Sequence, residues 1–143
     1  MSKTIFKSTG AVVAGFLAIV VLATSTDTAL ARIGVFPPPD KSETYATWMF
    51  CVAVVYRTVF SVCGGFIAGR LAPRDPMKPV LVLAVVGALI GVVGVVTGWD
   101  LPGYPHWYAI ALAALTFPSV WCGGKLVSRK PARSEAAAAP SQP

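Results

Sequence analysis

Few residues in this chain are able to do chemistry. Arg57 is the one charge set deep within an apolar stretch, nine positions after Trp48. At helical rise that is ~13 Å along the axis. An Arg at the centre of a bilayer costs ~2.5–3.5 kcal/mol on insertion scales, and such residues mark ion pairs, ligand sites or coupling charges. Arg57 shares a helical face with Ser61, Gly64, Gly65 and Ala68, so it should point into a helix bundle. Asp27 is the only acid near the same level, and an Arg57 that snorkels outward meets it. Two readings follow: a packing ion pair, or a site for an anionic solute. His106 is the sole histidine, and one His builds neither a bis-His haem nor a His-based metal cluster. Cys51, Cys63 and Cys122 are an odd count without C-x-x-C and read as small buried apolar side chains. There is no Walker loop, G-x-S-x-G or H-E-x-x-H, and no carboxylate pair within a span. No catalytic residue, cofactor or metal is therefore expected, and the chain does not read as an enzyme.

The elements that must position Arg57 and Asp27 are apolar spans. Four of them run over about 8–31, 45–70, 79–99 and 106–127, each long enough to cross ~30 Å of hydrocarbon. Hydrophobic residues make up 55% and charged residues 13% of the 143, with a mean hydropathy of +0.68; a soluble domain carries about 25% charged. The expected fold is an all-α membrane protein, four transmembrane helices in a small antiparallel bundle over residues 1–129. The Ala-, Pro- and Ser-rich tail from 130 to 143 is expected to be disordered.

Charge sets the expected orientation. Of twelve basic residues, Lys3, Lys7, Arg70, Arg74, Lys78, Lys125, Arg129, Lys130 and Arg133 fall on one side of the spans. The other side has Arg32 and Lys41, offset by Asp40 and Glu43. The positive-inside rule then places both termini in the cytoplasm. Trp99, Tyr104, Trp107 and Tyr108, with Trp48, read as an aromatic belt at the outer interface. The net charge of +6 is explained by topology and anionic lipid rather than by nucleic acid. Span 1 also carries a basic start, an apolar run and Ala29-Leu30-Ala31, the pattern of a signal peptide cleaved after Ala31. Its length favours retention as a spanning helix.

Small residues mark the packing faces. Ala84, Gly87, Gly91, Gly94 and Gly98 fall on one face of span 3 and predict a helix contact along its whole length. Gly64, Gly65 and Gly69 do the same on span 2. Pro73, Pro76 and Pro79 predict a break, with spans 2 and 3 in a tight antiparallel hairpin. Pro118 predicts a kink in span 4. Tyr45, Trp48, Cys63, Gly64, Gly65 and Arg70 recur 59 residues later as Tyr104, Trp107, Cys122, Gly123, Gly124 and Arg129, which would suit a duplicated two-helix hairpin. The same spacing would suit generic interface and packing residues.

The run Tyr56-Arg57-Thr58-Val59, the run Gly64 to Pro73, then Pro76-Met77-Lys78, His106-Trp107-Tyr108 and Trp121-Cys122-Gly123-Gly124 resemble a group of small four-helix bacterial inner-membrane proteins without known activity. The resemblance implies four helices with the first retained. The function expected is structural or accessory, through helix packing, with the lipid bilayer and a second copy or larger membrane complex as partners. The alternative is a small oligomeric transporter or channel that uses Arg57.

Overall fold

The computed structural model describes residues 2–128 and consists of four helices: α1 (Ser2–Arg32), α2 (Thr47–Leu71), α3 (Met77–Thr97) and α4 (His106–Ser128). Each is long and apolar enough to cross a membrane. The shortest, α3 with 21 residues, extends ~31 Å at 1.5 Å per residue. Arg129 and the tail beyond it lie outside the described residues, and with them Lys130, Arg133 and the segment expected to be disordered.

The ends of the helices follow local chemistry. α1 starts at Ser2, earlier than the apolar span, because Lys3 and Lys7 sit comfortably on a helix. It ends in a Schellman cap. The Val35 amide donates to the Leu30 carbonyl at 3.0 Å and the Gly34 amide to Ala31 at 3.2 Å. Gly34 adopts φ 76°, a conformation that suits glycine. The Ala29–Ala31 segment, which sequence reads as a cleavage pattern, is thus the last turn of a capped helix. A short 3-10 turn over Pro39–Thr44 leads into α2. Pro79 lies inside the first turn of α3, where a missing amide donor is tolerated, so the helix begins before the last of the three prolines. Lys78 pairs with Asp75 at 2.8 Å in the α2–α3 turn. The hydrogen bond from Lys78 holds the Asp75 carboxyl below its ordinary value. α4 continues through Pro118.

The packing order differs from a simple up-down ring. The most extensive contact joins α2 to α4, followed by α3 to α4 and α1 to α2. The hairpin partners α2 and α3 touch far less, contrary to the tight hairpin expected. Phe50 meets Tyr108 at one end of α2 and α4, and Gly69 approaches Val127 at the other, so these two helices run parallel. Glycine explains the pairing. A methyl group on Gly65 would collide with the Val120 carbonyl oxygen, and one on Gly123 would collide with that of Val62. The backbones therefore touch, which only glycine permits. Gly64 likewise meets α1 at Ile19 and Gly15.

On α3 the small-residue stripe divides. Ala84 is fully buried, Gly87 faces Thr116, and Gly91 faces the Ala113 backbone. Gly94 is exposed, and a methyl group placed there would have no neighbour within 4 Å. Gly98 meets its own helix and the Tyr104 ring. The contact expected along the whole span is therefore interrupted after Gly91, about two-thirds of the way along α3. The three cysteines are exposed on the bundle surface, not buried as expected. The interior is taken by glycines beside Cys63 and Cys122 and by Phe50 and Ala53 beside Cys51, and a thiol packs as readily against acyl chains.

Candidate functional site

Asp27 and Arg57 meet. The Arg57 Nη2 donates to Asp27 Oδ2 at 2.6 Å. The Tyr56 hydroxyl, one residue earlier on α2, donates to the other carboxylate oxygen, Oδ1. The antiparallel course of α1 and α2 brings these residues to one level, and the Gly15–Gly64 approach holds the two helices close. A guanidinium can grip a carboxylate through two parallel bonds. Here Tyr56 takes one of the two oxygens, so the fork is only partly used. Arg57 Nε is buried and has no hydrogen-bond partner among the described residues. The pairing expected from sequence is present. The Tyr56 bond adds to it, and an aromatic hydroxyl beside an intramembrane Arg is a signal the sequence does carry.

The pair lies in the wall of a cavity of about 640 Å³. Its lining comes from the end of α1 (Asp27, Thr28, Arg32), from Phe36 and Tyr45 in the connection, from α2 (Met49, Phe50, Ala53) and from Tyr104 and Tyr108. The cavity occupies the space between α1 and the start of α4, with α2 as its back wall. An aromatic cluster shapes it. Phe36 is 5% exposed and packs edge-on against Tyr45, Tyr45 against Phe50, and Phe50 against both Tyr104 and Tyr108. The Tyr45 hydroxyl donates to the Pro37 carbonyl at 2.9 Å, fixing the connection over the site. Burial pushes the Tyr104 phenol above its ordinary value, so it stays a neutral hydroxyl.

The aromatic belt expected from sequence is therefore two structures. Trp48, Trp99 and Trp107 are exposed, as interface anchors would be, whereas Tyr104 is half-buried and Tyr108 is 4% exposed. His106 stacks on Trp99 with ring centroids 4.1 Å apart, and its Nε2 lies 2.8 Å from the Trp99 carbonyl oxygen. It takes no part in the cavity.

A second cavity of about 220 Å³ lies deeper, among all four helices. Its walls are mainly apolar, including Phe16, Ile19, Leu83 and Leu112, with Thr58, Ser61 and Thr116. Those three hydroxyls donate to their own helix carbonyls. Arg57 is the one residue that lines both cavities, and so it stands as the partition between them. Beyond the second cavity the bundle is closed. Ala68, Val80, Leu83, Ala84 and Val120 are each at most 1% exposed, and the Gly65–Val120 contact crosses the same level. Leu83 and Val120 of this cluster also line the second cavity, so that cavity stops against the plug, while Arg57 bounds the larger one on the same side. Among the described residues no group of three His, Cys, Asp or Glu side chains converges on a possible metal site.

No protein-family model, curated protein or solved structure matches this chain.

Proposed function

We propose that the chain is a structural or accessory protein of the bacterial inner membrane, with both termini cytoplasmic, that acts through helix packing and not through solute movement. One observation carries the reading: below the paired Arg57, which lines both cavities, the inner cavity stops at a glycine-packed plug. A conduit needs a wet path past its charges, and a mobile coupling charge needs freedom to exchange partners. The orientation follows from nine of twelve basic residues on one side. The partner class is a second copy or a larger membrane complex, met through the apolar outer faces of the helices.

The test is flux in proteoliposomes loaded with chloride or acetate. Leak no faster than from protein-free vesicles is expected. The position of Arg57 between two cavities favours a second reading, a small transporter. Anion flux that disappears in Arg57→Gln would establish that reading and overturn the first. Light scattering of the protein in mild detergent then reports whether it associates with itself.

A further inference from the structure

The larger cavity has the makings of a ligand site that the packing role does not use. At about 640 Å³ it lies within the ~300–1,000 Å³ typical of small-molecule sites, which are mostly apolar with a few convergent polar groups. Its apolar side is the ring cluster of Phe36, Tyr45 and Phe50 with Met49. Its charged side holds Arg57, Arg32 and Asp27. Two cations against one anion leave a formal excess of one positive charge. Asp27 offsets one of the two charges, but it takes a single bond from Arg57, since its other oxygen accepts from Tyr56. Arg32 forms no ion pair among the described residues. The Schellman cap at Gly34 fixes the end of α1 at Arg32, and so sets where this second cation stands.

We propose that this cavity binds a monoanionic amphiphile, with a carboxylate or phosphate head on Arg32 and the cavity-lining guanidinium of Arg57 and a single apolar chain against the ring cluster. Charge-assisted bonds from guanidinium groups suit both heads. A neutral or cationic head would leave the excess charge uncompensated. The site goes beyond the packing role, and its occupancy is independent of whether solute crosses the membrane.

Native mass spectrometry of the full chain in a neutral maltoside detergent tests this directly. Palmitate and lysophosphatidylglycerol are the anionic probes, lysophosphatidylcholine and hexadecylammonium the controls. Saturable binding of one equivalent of an anionic probe is expected, at least about tenfold tighter than either control. Palmitate binding alone identifies a fatty-acid carboxylate, and lysophosphatidylglycerol binding alone an anionic lipid phosphate. Arg32→Gln should weaken binding about tenfold while leaving the melting temperature unchanged, because Arg32 holds no ion pair within the bundle's described residues. Thr28→Trp, which places bulk in the cavity wall, should abolish it. Equal binding of lysophosphatidylcholine, no saturable adduct, or unaltered binding in both variants would overturn the proposal. These outcomes are separate from the flux measurement, which judges the packing role alone.

Discussion

Asp27 serves two donors at once, and this makes it the more consequential member of the pair. Its removal leaves Arg57 without a counterion and the Tyr56 hydroxyl without an acceptor. Removal of Arg57 leaves a carboxylate that still has one hydrogen bond. The side chains are 37% and 38% exposed, largely toward the cavity, so their value lies between the ~0–1 kcal/mol of a surface pair and the ~3–5 kcal/mol lost when a buried pair is broken. Asp27→Leu and Arg57→Leu should each cost roughly 1–3 kcal/mol in detergent thermal unfolding, Asp27→Leu the more. The double variant should cost less than the sum, since no lone charge remains. A coupling near zero would show that the two residues are neighbours without being partners. This pair is legible in the sequence because the chain offers one deep cation and one acid at its level. The exposure of the cysteines is not, because a small apolar residue suits lipid and interior equally and nothing in its type decides.

At the scale of helices, the glycines are unequal. Gly65→Ala and Gly123→Ala each drive a methyl group into a carbonyl of the facing helix. Neither backbone can yield as a side chain would, so we expect losses of ~1–3 kcal/mol. Gly91→Leu, against the Ala113 backbone, should behave likewise. Gly94→Ala meets open space and should be neutral, or gain up to ~1 kcal/mol from helix propensity. Equal melting temperatures for Gly94→Ala and Gly123→Ala would contradict the backbone contact. Spacing places Gly87, Gly91 and Gly94 on one face, but it does not say which of them the neighbouring helix reaches. Nor does it pair parallel α2 with α4, since any two glycine faces could have met. The cap at Gly34 is readable: a glycine two positions past the end of an apolar helix whose last turn holds a basic residue is a known stop signal. The Ala29–Ala31 cleavage pattern overlaps it and points to a different event at the same place.

At the scale of the whole molecule, the cavity is the least legible feature. Its walls come from residues as far apart as Thr24 and Tyr108, and only the packing order brings them together. The spans themselves are plain from apolar runs, with ends shifted by a few residues where prolines and caps act. Reporter fusions after Lys130 and in the Pro37–Pro39 segment should place the first in the cytoplasm and the second outside it; the reverse pattern would invert the orientation. N-terminal sequencing of the membrane-bound protein should not begin at Arg32. The ion pair also bears on how the chain enters the membrane. Asp27 and Arg57 belong to successive helices, so each supplies the other's charge partner while synthesis is still under way. α2 alone would present an unmatched guanidinium to the lipid, at a cost of ~2.5–3.5 kcal/mol near the centre. A chain lacking residues 2–31 should therefore insert α2 poorly in a protease-protection assay, and Arg57→Leu in that shortened chain should restore insertion. On this view α1 escorts α2 into the bilayer before it ever becomes a wall of the finished bundle.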